Sequence, residues 1–185
     1  AAVLDGSLNG LFQRNNDQSF RRGTAAWSEQ IWAKSTSATN PAGSEYIVNL
    51  RTTNDDIEIY FNTSGQLVAR TSDDGASTFD TNTFAADVYD ASWHHIAYTN
   101  DATNFKLYVD GELVITTALS NVNTSLDPDT LRIGATTGNT LRFNGSVDQY
   151  VPIKRTLTAN EIRWLYQQGL RGIQSAIDPN DALHA

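Results

Sequence analysis

Apolar and polar residues alternate along much of the chain with a period of two rather than 3.6. Phe105, Leu107 and Val109 alternate with Lys106, Tyr108 and Asp110, and after Asp110-Gly111 come Leu113, Val114 and Ile115. An Asp-Gly pair between β-rich runs marks a tight hairpin. The same device recurs where Ile57, Ile59 and Phe61 share a face, Asn62-Thr63-Ser64-Gly65 turns, and Leu67–Arg70 returns. Trp93–Thr99 reads as another strand, between the turn-like Asp90-Ala91-Ser92 and Asn100-Asp101. Trp27–Lys34, Tyr46–Arg51, Thr130–Gly134 and Phe143–Pro152 complete the predicted strands, while Ser35–Ser44 and Thr71–Ala85 read as rim loops. Short strands joined by Gly, Asn and Asp turns predict an all-β antiparallel sandwich or barrel.

One helix interrupts this pattern. Thr158-Ala159-Asn160-Glu161 has capping-box spacing, Ile162, Leu165 and Tyr166 follow at helical intervals, and Gly169 stands where a helix would stop. The expected helix therefore runs near Ala159–Gln168. Residues 1–169 are expected to form the domain and 170–185 an irregular tail. That tail keeps Leu170, Ile173, Ile177 and Leu183. Burying two such side chains is worth roughly 3–6 kcal/mol, so the tail is expected to dock, on its own domain or as an assembly arm on a neighbour.

Composition narrows the function. Only 39% of residues are hydrophobic and 18% charged. Thr, Asn, Ser, Asp and Gly make up the difference, as suits strands and turns. A net charge of −8 argues against a nucleic-acid partner, whose phosphates need a positive field. No apolar run is long enough to span a membrane, and the start AAVLDGSLNG lacks the charged and apolar regions of a signal peptide. With no Cys there are no disulfides, thiolate nucleophiles or thiolate metal sites.

Three groups of segments, in order, resemble the laminin-G-like family of concanavalin A-type jelly-roll sandwiches. They are Trp27–Lys34; then Ser92-Trp93-His94-His95-Ile96-Ala97-Tyr98-Thr99 with Lys106-Leu107-Tyr108-Val109-Asp110-Gly111-Glu112-Leu113; then Leu131-Arg132-Ile133-Gly134, Phe143-Asn144-Gly145-Ser146-Val147-Asp148 and Leu157-Thr158 with Glu161-Ile162. Val3–Ser7 resembles the first strand of such domains. The resemblance covers about residues 3–169. It implies a two-sheet antiparallel jelly roll of about 12–14 strands, with the last strands closing near the first. Pro152 departs from the pattern and predicts an edge or a bulge. The implied core includes Trp32, Ile96, Leu107, Val109, Ile133 and Val147.

Candidate chemistry is sparse. His94 and His95 are adjacent on a strand, so their rings point to opposite faces and do not act together. Sugar hydrolysis on such a sandwich needs two carboxylates about 5–10 Å apart. The Glu-x-Asp-x-x-Glu string of related glucanases is missing, and Asp55-Asp56-x-Glu58 and Asp73-Asp74 read as turn residues. No catalytic residue is assigned. No cofactor is required. Calcium is the one candidate ion, since many laminin-G-like modules bind it at a loop rim, with Asp5, Asp73, Asp74 and Asp148 as scattered candidates; no metal ligand set is assigned. Trp27, Trp32, Trp93 and Trp164 are expected in the core. Tyr60, opposite in direction to Ile59 and Phe61, is the exposed aromatic, with Arg51 and Arg70 on neighbouring strands. These three form the candidate ligand-binding set for a sugar or acidic glycan. Asn-x-Ser/Thr triplets at Asn62, Asn123 and Asn144 are explained by chance in an Asn- and Thr-rich chain.

The expectation is therefore a non-catalytic surface recognition module, binding glycan or protein and displayed on a virion. The alternative is a structural virion component such as a capsid decoration, tail or fibre protein; a glycoside hydrolase is the third reading. Expected partners are a glycan or protein surface, capsid or tail proteins, and a second copy of the chain. The expected location is a virion surface or the extracellular space, because a Cys-free chain without a visible signal suits cytosolic assembly and release.

Overall fold

The computed structural model describes residues 2–5, 12–20, 26–52, 56–72, 79–119, 128–136, 138 and 140–177, with the side chains of 2–5, 19 and 173–177 outside the description. Its strands are β1 (Ala2–Asp5), β2 (Phe12–Arg14), β3 (Trp27–Ser35), β4 (Glu45–Arg51), β5 (Asp56–Phe61), β6 (Leu67–Ser72), β7 (Asp80–Phe84), β8 (His94–Asn100), β9 (Asn104–Val109), β10 (Glu112–Ala118), β11 (Thr130–Ile133) and β12 (Asn144–Ile153), followed by helix α1 (Ala159–Ile177). They form two six-stranded sheets, in the orders β1-β12-β3-β8-β9-β10 and β2-β11-β4-β5-β6-β7. The fold is the all-β antiparallel jelly-roll sandwich that the alternation and the resemblance predict.

Alternation places the core. Ile57, Ile59 and Phe61 of β5 face Ile96 and Tyr98 of β8 and Phe105, Leu107 and Val109 of β9 across the two sheets, joined by Trp27, Ile133 and Val147. Trp27 meets Tyr98 edge-on at 4.8 Å, and Tyr98 meets Phe105 at 4.4 Å, the arrangement aromatic quadrupoles favour. At one edge, β7 leans on the first sheet. Asn82 donates to the Phe105 carbonyl at 3.2 Å and accepts from the Thr117 hydroxyl. β7 lies within the segment that the sequence marks as a loop; its Asp-Thr-Asn-Thr run lacks the apolar alternation that would reveal it.

Trp32 belongs to a different layer from the one the sequence implies. It is fully buried, but on the outer face of β3, where it stacks on Tyr166 of α1 at 5.7 Å and lies 5.3 Å from His95. Ala97, Tyr108, Leu157 and Ile162 extend this second cluster beneath the helix. Both faces of β3 are thus covered, which is why it is buried along almost its whole length. Trp164 lies on the opposite side of α1 and is 58% exposed, not a core residue, and Trp93 is half-buried.

The helix begins as the capping box predicts. Glu161 N–H donates to the Thr158 hydroxyl at 3.3 Å, and Thr158 N–H donates to the Glu161 carboxylate at 2.8 Å. It does not stop at Gly169 but continues to Ile177. A β-carbon at Gly169 would run into the Trp32 indole. The glycine is therefore a place of close approach rather than a terminator. Leu170 is half-buried on the helix, Ile173 and Ile177 lie on its last turns, and Leu183 falls outside the described residues. At the β9–β10 turn, Asp110 and Gly111 both have positive φ (50° and 79°), as an Asp-Gly hairpin requires. A side chain on Gly111 would come within 3.0 Å of Tyr166, and Glu112 pairs with Arg163 at 2.8 Å, so turn and helix interlock.

Pro152 lies in the part of β12 beyond its pairing with β1, just after a register shift between Asp148 and Val151 where Gln149 has a φ of 49°. The bulge predicted from the proline is present, whereas β12 lies between β1 and β3 in the sheet order.

The adjacent histidines point to opposite faces, as expected. His95 is fully buried, with Nε2 2.8 Å from the Gln30 side-chain oxygen. Burial lowers its pKa to about 4, only partly offset by the charge of Asp110. His94 lies between Asp110 at 2.8 Å and Asp90 at 3.1 Å. Burial depresses its pKa, but these two carboxylates outweigh burial and raise it above 6.5.

Two predictions follow from this layer. Gly169→Ala should destabilise by about 1–3 kcal/mol through overpacking against Trp32, despite the better helix propensity of Ala. Gly172→Ala has only ordinary contact with Gln149 at 3.7 Å, and should stabilise by about 0.5–1 kcal/mol; urea midpoints of the two variants check the opposite signs. The histidines should bend the pH–stability curve in opposite directions. The contribution of neutral His95 is present above pH 6.5, wanes as the unfolded chain takes up its proton, and is lost as pH falls to about 4. The contribution of charged His94 is present below pH 6.5 and lost as pH rises through its raised folded pKa. Melting temperatures across pH 4–9 should show His94→Gln flattening the alkaline limb and His95→Gln the acid limb.

Candidate functional site

Helix α1 covers the outer face of the first sheet; among the described residues, no helix covers the outer face of the second. Register fixes what that face displays. One row across four strands carries Arg132 of β11, Asn49 of β4, Glu58 of β5 and Arg70 of β6, each directly opposite the next. The neighbouring row pairs Tyr46 with Tyr60 and Tyr60 with Val68, and a third pairs Arg51 with Asp56 and Asp56 with Ser72.

Arg70 is the hub. Its Nε donates to Glu58 Oε2, and its Nη2 donates to the Tyr46 hydroxyl at 3.3 Å. Its guanidinium lies 5.2 Å from the Tyr60 ring centre and 4.0 Å from that of Phe79, within cation–π range. Tyr46 stacks on Tyr60 at 4.6 Å with the rings 10° from parallel. Asn49 donates to the other oxygen of Glu58 at 3.1 Å. Burial lowers the Arg70 pKa, but Glu58 outweighs it and the net shift is upward. Burial also raises both tyrosines, so their hydroxyls remain protonated donors.

Of the sequence-selected trio, Tyr60 and Arg70 come together. Arg51 lies elsewhere on the face, paired with Asp56 at 3.2 Å and about 13 Å along the strand direction from the Tyr60 row. Tyr60 is flanked by Tyr46 on one neighbouring strand and Arg70 on the other, so its ring is engaged within the cluster rather than presented as an open stacking surface.

Asp56 and Glu58 correct a sequence expectation. They are strand residues, not turn residues, and they point the same way from β5, about 7 Å apart along the chain. That separation falls within the range a glycosidase uses. Both side chains are nearly inaccessible, however, and each is paired with an arginine. Sequence reasoning also missed Tyr46, Asn49, Phe79 and Arg132. The alternation of β4 and β11 places Tyr46 aside, but only the pairing of strands shows that these residues share one face.

At the sandwich rim, Glu45 Oε2 accepts from the Tyr89 hydroxyl at 3.0 Å and the Asn144 N–H at 3.2 Å. Burial raises its pKa against those bonds. Of the calcium candidates, Asp73 and Asp74 lie outside the described residues and Asp148 accepts the neighbouring Gln149 N–H. Among the described residues, no three acidic or imidazole side chains converge to hold a metal. No described helix is long and apolar enough to cross a membrane.

Comparison with known proteins places this architecture. None of the curated proteins matches the sequence. Among solved structures, the binding domain of botulinum neurotoxin serotype G superimposes with a TM-score of 0.74 at 14% identity, over 90% of this chain and 42% of that one. The serotype D ligand-binding domain in complex with N-acetylneuraminic acid gives 0.70 at 16% identity, over 88% and 41%. The serotype DC binding domain in complex with rat synaptotagmin II gives 0.69 at 12% identity, over 91% and 45%. The chain thus spans less than half of each of these structures, and at such identity the likeness is one of fold. The sequence profile of a laminin-G-type family described as the concanavalin A-like lectin/glucanases superfamily matches residues 6–163. With most of its length matched by that profile and two sheets in the expected jelly-roll order, the chain belongs to the concanavalin A-like lectin/glucanase superfamily.

Proposed function

We propose that this domain is a non-catalytic recognition module, and that its ligand is a glycan held on the outer face of the second sheet. The observation that carries the reading is the Tyr46–Tyr60–Arg70–Glu58 cluster. It is a preorganised group of hydrogen-bonding side chains on a sheet face, with its buried carboxylate matched by a guanidinium. Such a cluster offers planar donors and phenolic hydroxyls at fixed positions, as recognition of sugar hydroxyls demands. It offers no free acid–base pair. The similar toxin domains, of which one is bound to N-acetylneuraminic acid and another to synaptotagmin, support the view that this sandwich serves recognition of sugar or protein. We place the module on a virion surface or in the extracellular space, a location consistent with a chain free of cysteine.

The hydrolase reading retains one observation in its favour, the spacing of Asp56 and Glu58. Incubation with β-glucans should give no turnover; turnover abolished by Glu58→Gln would overturn the non-catalytic reading. On a glycan array, Arg70→Ala and Tyr60→Phe should each weaken binding by about tenfold or more, with the urea midpoint recorded for both. Retention of full affinity by both variants would remove the ligand from this face.

A further inference from the structure

The arginines of this face differ in one respect. Arg51 is matched by Asp56 and Arg70 by Glu58. Arg132 stands in the same row as Asn49 and Glu58, opposite Asn49 on one side and Gln13 on the other. It has no ion pair among the described residues, and its Nε is buried without a hydrogen-bond partner. Burial alone lowers its pKa; no carboxylate contributes a shift in the other direction. That buried nitrogen is costly to leave unmatched, and the side chain is otherwise only half-buried, so the outer end of its fork stays within reach of a ligand. The rest of the described row is neutral in sum, so Arg132 leaves a local positive charge on a chain whose net charge is −8.

Resting on the glycan-recognition reading, we infer that Arg132 is a specificity-determining residue that selects glycans carrying a carboxylate. Its planar fork matches a carboxylate in two parallel hydrogen bonds, which a lysine or a neutral amide does not reproduce. Tyr60 is two strands away and two residues along, about 12 Å between Cα atoms. A carboxylate seated on Arg132 therefore leaves the adjoining sugar residues over Asn49 and toward the tyrosines. The side-chain amide of Asn49 is already directed to Glu58 at 3.1 Å. Charge, rather than a further amide contact, is then the discriminating term at this end of the row.

The test is an array of matched pairs, each hexuronate- or sialate-bearing glycan printed beside its carboxyl-reduced counterpart. Wild-type protein should bind carboxylated members at least tenfold better than their reduced partners, with affinity falling as NaCl rises. Arg132→Gln should abolish that preference at an unchanged urea midpoint, and Arg132→Lys should restore only part of it. If a bound glycan and its reduced form bind alike, or Arg132→Gln keeps the preference, the inference falls while glycan recognition stands. If no member binds, both fall.

Discussion

The asymmetry of this sandwich depends on the contact between Trp32 and helix α1. Trp32 points away from the inter-sheet core, and an indole on an outer sheet face would expose a large apolar area. Tyr166 stacks on it, and Gly169 brings the helix backbone against its edge. The helix thereby turns the first sheet into the middle layer of a three-layer stack. His95, Gln30 and Ser28, which a solvated face would hydrate, are instead buried and hydrogen-bonded. Among the described residues, no helix gives the second sheet the same cover.

On the second sheet the dominant constraint is charge pairing. Asp56 and Glu58 are almost wholly inaccessible, and a buried carboxylate without a cation is costly. Each is met by an arginine from an adjoining strand, and the Arg70 guanidinium is held in turn by two aromatic rings. The cluster therefore has few rotamers left to lose, which would lower the entropic cost of holding the proposed glycan. The same pairing ties up both of the same-facing carboxylates in ion pairs.

Much of the fold was legible because strands with one apolar face announce themselves: β5, β9 and the two hairpin turns lie where the alternation puts them. β3 was legible as a strand but not as a two-faced one, since its Ser-Glu-Gln stretch reads as solvated. Local rules failed where a distant residue decides. Gly169 has the look of a helix stop, and only Trp32, far earlier in the chain, explains why the helix runs through it. β7 carries polar side chains that bridge the two sheets, so it lacks the hydrophobic signature. The candidate face was half legible. Tyr60 and Arg70 follow from alternation on consecutive hairpin strands, whereas Arg132 joins them through the β11–β4 pairing, which links segments far apart in the sequence.

The bulge of β12 bears on how one strand serves two packing layers. In an unbroken strand Val147 and Ile153 would face the same side, because side chains alternate with a period of two. The register shift between Asp148 and Val151 reverses that phase, so Val147 packs between the sheets while Ile153 packs against Ala97, Tyr108, Leu157 and Ile162. One extra residue thus lets a single strand feed the inter-sheet core at one end and the layer beneath the helix at the other, a change of phase that a one-residue deletion would undo.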